Sequence, residues 1–409
     1  MMILNPSTSR TAYPDEFRLV LDLRAAKASL AVLSQWRLIN AGATPLRFLP
    51  GLAEEFHLGE VCIKDESVRS PLGSFKVLGA PIALLRLIQR LYPERGFDAA
   101  SLICGEHQDA LGSLTVISAT DGNHGRALAA AAEAVGCRSV IVLHAKVSDE
   151  REQAIAAYGA QIVRIAGNYD DSVNEAARLA AEKGWFVVSD TSYEGYEEIP
   201  RDVMQGYGAI AAEVIEQKRI RPEQPAFTHV FLQGGVGGFA AGVASTLWEH
   251  YGEHRPRFVV VEPREADCLY QTALKGKLTP ASGSTDSVMA GLACGEASPL
   301  AWRLLQPCID AFMTIDDDAA VAAMRRLAAG SRTDAPLLGG ESGVAGVAGL
   351  VEACRQPALA RALGLNEKSR VLLINTEGAT APSVYRALVG EPAEAVLDRQ
   401  REWMKLSSL

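Results

Sequence analysis

Short apolar runs alternate with helical stretches over much of this chain, and this alternation constrains the fold more than any other feature. The first set of apolar runs, at 113–119, 139–143, 161–165 and 185–189, is separated by helical stretches at 125–135, 148–158 and 170–183. Strands separated by helices of this length form right-handed β-α-β units in a parallel sheet. The pattern therefore predicts an open parallel sheet covered by helices.

The same alternation resumes later in the chain. Apolar runs at 228–232, 258–261 and 371–374 accompany helical stretches at 239–250, 316–330 and 343–353, and the run at 61–63 fits this later set. A chain of 409 residues exceeds one small core. We predict an α/β fold of two open twisted domains with mostly parallel sheets: a large discontinuous domain, 1–112 and 198–409, and a small inserted domain, 113–197. The active site should lie between them, at the carboxyl ends of strands.

Composition argues against several classes of protein. The net charge is −9, the pI is about 5.4 and no dense Lys/Arg run occurs, so we expect no nucleic-acid partner. No stretch approaches the roughly 18 apolar residues of a membrane span, and the first residues lack a signal-peptide pattern. The seven cysteines form no Cys-x-x-Cys pair and no His-x-x-His spacing occurs, so we expect free thiols, a reducing compartment and no metal.

Lys76 is the most informative single residue. It follows a Gly-Ser turn in the run Ser70-Pro-Leu-Gly-Ser-Phe-Lys76-Val-Leu-Gly-Ala80, where a helix is expected to start. A lysine held over such a turn can form a Schiff base with an aldehyde, provided that its surroundings lower its pKa. The alternative is a solvated surface lysine. Three distant segments favour the catalytic interpretation.

The first of these segments is rich in glycine and joins an apolar strand to a helix. Its backbone N–H groups can surround an anion such as a phosphate, assisted by the helix N-terminus; the residues concerned are Gly234, Gly235, Val236, Gly237 and Gly238. A turn that only permits tight packing is one alternative. Another is a dinucleotide fingerprint, Gly235-x-Gly237-x-x-Ala240 followed by Glu262, as in an NAD-linked dehydrogenase. A dehydrogenase would leave Lys76 without a role.

The second segment is the predicted strand-to-helix turn at 118–125. Its free N–H groups, that of Gly122 among them, can hold a carboxylate or a phenolate oxygen together with the side chains of Thr120 and Asn123 and the neighbouring His124. Asp121 is unexpected here, because its charge would repel a carboxylate. It either caps the following helix or faces a positively charged part of the substrate, where it could also hold a proton.

The third segment is Ser189-Asp190-Thr191, which follows the last strand of the inserted unit. Asp190 therefore falls at the carboxyl end of a strand, where catalytic groups collect in open α/β sheets. The alternative is a loop aspartate that forms an Asx turn. Asp190 is thus the second candidate catalytic carboxylate.

Together these segments resemble the fold-type II (tryptophan synthase β-like) pyridoxal 5′-phosphate enzymes, over about residues 40–390. Ser74-Phe75-Lys76 is similar to the Schiff-base motif, Gly122-Asn123-His124-Gly125 to the loop that holds substrate carboxylate and cofactor oxygen, and 234–238 to the phosphate cup. The resemblance implies pyridoxal 5′-phosphate as cofactor. It also implies Asn123 beside the phenolate oxygen, and Thr376 or else Asn375 beside the pyridine nitrogen. Glu341 is expected to cap the helix that follows it, and the alternative is that it approaches the cofactor ring.

One departure from the common pattern of that family is Thr120-Asp121 before the Gly-Asn-His. Together with Ser189-Asp190-Thr191 and Asn375-Thr376-Glu377-Gly378, it is similar to the diaminopropionate ammonia-lyase subfamily. This similarity implies conversion of a small amino acid, 2,3-diaminopropionate, to pyruvate and two ammonia molecules. It also implies turnover of both enantiomers by a cytosolic homodimer. Asp121 and Asp190 would flank the β-ammonium group.

In this hypothesis one of the two carboxylates removes the α-proton from the face that Lys76 cannot reach. Such a carboxylate needs a pKa raised by burial or by the other acid. Two alternatives stay open. One is a serine/threonine dehydratase or β-replacement enzyme of the same fold, and the other is a cofactor-carrying binding protein without turnover.

Overall fold

The computed structural model describes residues 1–40, 42–120, 122–167, 169–219 and 225–407. Within these ranges the strands are β1 (Met2–Leu4), β2 (Leu46–Phe48), β3 (Glu60–Asp65), β4 (Thr115–Ala119), β5 (Arg138–Leu143), β6 (Gln161–Arg164), β7 (Phe186–Val187), β8 (His229–Gln233), β9 (Arg257–Pro263), β10 (Ala311–Ile315) and β11 (Arg370–Asn375). They form one sheet of seven strands and one of four.

The helices surround both sheets. They are α1 (Asp15–Arg18), α2 (Leu23–Leu33), α3 (Pro50–Glu55), α4 (Ala80–Leu91), α5 (Ala99–Ile103), α6 (Gln108–Leu111), α7 (Asn123–Val135), α8 (Asp149–Ala156), α9 (Tyr169–Lys183), α10 (Glu198–Gln217), α11 (Gly238–Tyr251), α12 (Cys268–Lys275), α13 (Pro299–Cys308), α14 (Asp317–Ala329), α15 (Ala345–Arg355), α16 (Pro357–Leu363), α17 (Pro382–Val389) and α18 (Ala393–Ser407). In the described ranges no helix combines the length and the apolar character that crossing a membrane requires.

The large sheet has the strand order β1-β10-β9-β8-β11-β3-β2. Its inner strands are parallel, and the two edge strands β1 and β2 are antiparallel. The inner strands are almost wholly buried, as expected for a parallel sheet with helices on both faces. The prediction that the run at 61–63 belongs to the later set is confirmed, because β3 pairs with β11 and Val61 lies opposite Val371.

The small sheet has the order β6-β5-β4-β7, and its strands are all parallel. The α/β class with mostly parallel sheets is therefore confirmed. The strands of the small sheet all fall within 115–187, and those of the large sheet fall on either side of that range. The division into domains at 113–197 stays a prediction.

Two hydrophobic clusters cover the two faces of the large sheet. The cluster on one face includes buried residues of α2, α4, α10 and α11 and continues into α7 beside the small sheet. The cluster on the other face includes α14 and α15. Because α7 shares the first cluster, packing fixes the amino end of α7 relative to the large sheet. That end carries the loop before Asn123.

Candidate active site

A cleft lies where the carboxyl ends of strands from both sheets face each other. About 910 Å³ of space free of protein atoms, part of it open solvent at the mouth, lies within this cleft. Its walls come from segments that follow β4, β7, β8 and β11, together with the turn before α4. The sequence-predicted residues among its lining are Lys76, Thr120, Gly122, Asn123, His124, Asp190, Gly234, Gly235, Val236, Gly238 and Thr376.

Lys76 lies in a 3₁₀ turn, Phe75–Leu78, immediately before α4. Backbone hydrogen bonds fasten this turn to the segment after β11: Phe75 N donates to Thr376 O at 3.0 Å, and Gly378 N donates to Gly73 O at 2.9 Å. The Lys76 side chain is 18% exposed, and its Nζ lies 5.7 Å from the centre of the Tyr207 ring. The amine is therefore held inside the cleft and is not a solvated surface group.

Asp190 contacts the amine directly. Lys76 Nζ donates to Asp190 Oδ2 at 2.5 Å. Burial alone would lower the pKa of Lys76, but the negative charge of Asp190 raises this pKa well above its usual range. Burial alone would raise the pKa of Asp190, but the charge of Lys76 lowers it well below its usual range. The expectation of a lowered lysine pKa is thus wrong for this arrangement, because the carboxylate stabilises the ammonium form.

His124 is the third member of this group. Its Nε2 lies 2.9 Å from Val188 O, and its Nδ1 lies 3.8 Å from Asp190 Oδ2. Burial lowers the pKa of His124, which favours the neutral ring. With the Nε2 proton donated to the carbonyl, Nδ1 is left as an acceptor, and it has no hydrogen-bond partner among the described residues. This acceptor suits an ammonium group of a substrate.

The glycine-rich segment lies between β8 and α11. Gly235 and Gly237 have positive φ values of 63° and 96°, which glycine adopts readily. A Cβ on Gly237 would also lie 2.9 Å from Leu305 Cδ1. In the described ranges the N–H groups of Gly235, Val236 and Gly238 donate to no protein acceptor. These N–H groups at the start of a helix form a site for an anionic group.

Glu262 does not support the dehydrogenase alternative. Its carboxylate accepts hydrogen bonds from Leu269 N at 3.0 Å and Tyr270 N at 2.8 Å, and so caps α12. Burial raises the pKa of Glu262 to about 8. The side chain packs behind the glycine-rich segment, since a Cβ on Gly234 would lie 2.5 Å from Glu262 Cγ. A carboxyl in that position cannot bind a ribose in the cleft.

The loop before α7 is held partly by its own side chains. Thr120 Oγ1 accepts hydrogen bonds from Gly122 N at 3.0 Å and Gly125 N at 3.2 Å. Gly122 caps α7 with a φ of 150°. Asn123 Nδ2 donates to Glu377 Oε2. Asp121 lies outside the described residues.

The segment after β11 contributes Thr376 and Glu377 to the cleft. Asn375 points elsewhere, because its Nδ2 donates to Asp65 Oδ1 and Leu338 O, both at 3.0 Å. Thr376 is therefore better placed than Asn375 to approach a cofactor ring. Glu377 belongs to the motif Asn375-Thr376-Glu377-Gly378, but the sequence does not predict its contact with Asn123.

Glu341 forms an ion pair that the sequence did not predict. Its Oε1 lies 2.6 Å from Arg151 Nη2. The expectation that Glu341 caps the following helix is wrong, because α15 begins only at Ala345 and its N-cap is Val344. No group of three or more metal-ligating side chains that could hold a metal ion occurs in the described ranges.

Known proteins are similar to this chain in both sequence and architecture. The family described as pyridoxal-phosphate dependent enzyme matches residues 38–377. The chain is 38% identical over 375 residues to the diaminopropionate ammonia-lyase of Escherichia coli K12, covering 91% of this chain and 93% of that protein. It is 39% identical over 361 residues to the diaminopropionate ammonia-lyase of Salmonella typhimurium LT2, covering 86% and 89%.

Solved structures agree with the sequence comparison. The crystal structure of the Escherichia coli diaminopropionate ammonia-lyase in complex with an aminoacrylate-PLP azomethine reaction intermediate has a TM-score of 0.84 at 35% identity, covering 95% of this chain and 96% of that one. The same enzyme in complex with D-serine has a TM-score of 0.85 at 35% identity, with the same coverage.

Proposed function

Because the chain belongs to the family of pyridoxal-phosphate dependent enzymes, we propose that it converts 2,3-diaminopropionate and one water molecule to pyruvate and two ammonia molecules, from the D and L enantiomers alike. The observation that carries the choice of substrate is the carboxylate of Asp190, 2.5 Å from the amine of Lys76. A carboxylate beside the reactive amine gives the β-ammonium of this substrate a charge-assisted partner, which the hydroxyl of serine does not need.

The residues of the cleft fit pyridoxal phosphate. The N–H groups of Gly235, Val236 and Gly238 at the start of α11 would bind its phosphate. The Lys76 amine would hold its aldehyde carbon, Asn123 would donate to its phenolate oxygen, and Thr376 would approach its ring nitrogen. When bound, the cofactor supplies a ring that accepts the electrons released at the substrate α-carbon.

Lys76 and the side chains around it would have different roles in moving protons. Once the substrate amine has replaced it, the neutral Lys76 Nζ would accept the α-proton on its own face. The charge of Asp190 stabilises the resulting ammonium, which would then donate that proton to the leaving amine. Asp190 Oδ2 and His124 Nδ1 together offer acceptors to the β-ammonium of the substrate. The low pKa of Asp190 makes it a poor base. Of the two predicted carboxylates, we therefore assign the α-proton on the face opposite Lys76 to Asp121.

Replacement of Asp121 by asparagine should lower the activity on the two enantiomers unequally. We expect the variant to lose about 10-fold more kcat/KM on one enantiomer than on the other, since only one enantiomer presents its α-proton to that face. Initial rates of pyruvate formation from the separate D and L substrates measure this ratio. Equal losses on both enantiomers would rule out the assignment of Asp121.

The substrate itself is tested by a direct comparison. Purified protein reconstituted with pyridoxal phosphate should form pyruvate, and two ammonia molecules per pyruvate, from D- and L-diaminopropionate. Serine and threonine should be turned over at least about 10-fold less efficiently, because a neutral hydroxyl cannot form the charge-assisted hydrogen bond to Asp190 that the β-ammonium forms. A clear preference for L-serine or L-threonine would instead identify a dehydratase of the same fold.

We also propose that the enzyme is a cytoplasmic homodimer. Seven cysteines, an odd number without any Cys-x-x-Cys pair, suit a reducing compartment. Light scattering during size-exclusion chromatography should give twice the 43.7 kDa mass of the chain. Fractionation of cells that express the tagged protein tests the location.

A further inference from the structure

Arg151 and Glu341 form an ion pair across the cleft to which the proposed elimination chemistry gives no role. Arg151 belongs to α8, which follows a strand of the small sheet, and Glu341 lies on the large-sheet side before α15. Their side chains are 16% and 1% exposed, and Arg151 Nη2 lies 2.6 Å from Glu341 Oε1. A charge-assisted bond between two groups so largely removed from water holds both side chains in one orientation.

On the small-sheet side, Arg151 packs against the loop that carries the predicted substrate-binding residues. A Cβ on Gly122 would lie 3.3 Å from Arg151 Cδ and within 4 Å of two further atoms of its stem. Asn123, the next residue, begins α7 and hydrogen-bonds Glu377. The position of Arg151 therefore bears directly on the position of Gly122 and Asn123.

On the large-sheet side, Glu341 is next in sequence to Ser342, which contacts Glu377, the partner of Asn123. The neighbouring Ser342 N donates to Glu377 Oε1 at 3.0 Å, while the other oxygen of Glu377 accepts from Asn123. Two buried carboxylates of the large-sheet side, Glu341 and Glu377, thus each hold one side chain from the small-sheet side. Both contacts lie close to the turn that carries Lys76, because Ser74 and Glu377 form a β-bridge.

We propose that Arg151 and Glu341 are positioning residues, whose ion pair holds the loop of Gly122 and Asn123 at the distance from Lys76 that the substrate requires. The pair acts through the loop and does not touch the reacting atoms. This inference rests on the proposed function for its kinetic test only. Its structural test needs no substrate.

Titration of Glu341 should make this positioning dependent on pH. Burial, reinforced by the charge of Glu377 and opposed by Arg151, raises the pKa of Glu341 to about 7. As the pH rises through this value, Glu341 loses its proton and the ion pair gains its full strength. The KM of the enzyme for diaminopropionate should therefore fall between about pH 6 and pH 8, relative to the Glu341→Gln variant, whose amide does not titrate.

The test compares Arg151→Gln, Glu341→Gln and the double variant. We expect each single change to raise KM about 10-fold with kcat nearly unchanged, and the double change to cost no more than either single one, because both remove the same bond. Deuterium exchange of the peptide that spans 115–123 should become faster in all three. Arg164→Gln is the matched control. Arg164 ends β6 and forms an ion pair at 2.5 Å with Glu152 of α8, the helix that carries Arg151, so this pair lies wholly on the small-sheet side.

Opposite effects of the two single changes would overturn the proposal. Arg151 lines the cleft and could instead bind the substrate carboxylate itself. In that case Arg151→Gln would raise KM, whereas Glu341→Gln would free the guanidinium and would not raise KM. Unchanged exchange in the peptide also contradicts the proposal. If no substrate gives pyruvate, the proposed function fails while the exchange experiment still decides on the pair. Should Arg151→Gln not fold, Arg151→Lys keeps the cation, and we expect its KM within about 3-fold of the unaltered enzyme.

Discussion

Replacement of Lys76 by alanine is expected to lower kcat/KM at least about 10³-fold on both enantiomers, which corresponds to about 4 kcal/mol of barrier. The loss should be this large because one amine serves two purposes: it holds the cofactor covalently and it transfers a proton. The 3₁₀ turn and its hydrogen bonds to Thr376 and Gly378 place that amine in the cleft, and they involve only the backbone of the turn. The fold should therefore survive the change.

Lys76→Arg is the matched variant, because it keeps a positive charge beside Asp190 but cannot form the Schiff base. We expect it to lose as much activity as Lys76→Ala. Borohydride reduction and digestion of the unaltered holoenzyme should put a pyridoxyl group on the peptide that contains Lys76, and on no peptide of the two variants. Near-normal turnover by either variant would remove Lys76 from the mechanism.

Replacement of Asp190 by asparagine is expected to lower kcat/KM about 10²-fold on both enantiomers, or about 2.7 kcal/mol of barrier. The carboxylate holds the Lys76 ammonium at 2.5 Å and faces the ring of His124. Without its charge, burial dominates and the pKa of Lys76 falls, so the amine loses its proton at a lower pH. The basic limb of the pH profile of kcat should therefore move to lower pH.

Asp202→Asn is the control for loss of a buried carboxylate elsewhere. Asp202 is 1% exposed and binds Arg86 at 2.8 Å and Arg90 at 2.7 Å, away from the cleft. We expect this change to lower the thermal midpoint of unfolding and to leave kcat and its pH profile unchanged. An Asp190→Asn variant whose pH profile matches that of the unaltered enzyme would contradict the role given to Asp190.

Much of the fold was predictable because its strands and helices differ clearly in hydrophobic period. The predicted strand at 139–143 is β5, Arg138–Leu143, and the predicted helix at 239–250 is α11, Gly238–Tyr251. The longest helix, α10, was missed because it is buried on nearly every side and so lacks the polar face that marks a helix. The edge strands β1 and β2 have only three residues each, too few for a pattern.

The site was predictable to the extent that its chemistry lies in local motifs. Lys76 lies in a turn before a helix, Asp190 follows a strand and His124 lies in the first turn of α7, each within a recognisable sequence motif. The structure brings their side chains together. The ion pair of Arg151 with Glu341 joins residues 190 positions apart, and neither has a local signal. Thr376 and Asn375 could not be separated, because a shift of one residue along a strand reverses the direction of the side chain.

The pairing of β3 with β11 has a consequence for biosynthesis. β3 precedes the lysine turn, whereas its partner strand β11 ends only at Asn375, so the ribosome must translate every residue between the two strands before they can pair. A nascent chain arrested before that strand would carry the catalytic amine without the hydrogen bonds that hold it in place. Such late closure of a long loop is slow, and it makes incomplete chains candidates for chaperone binding.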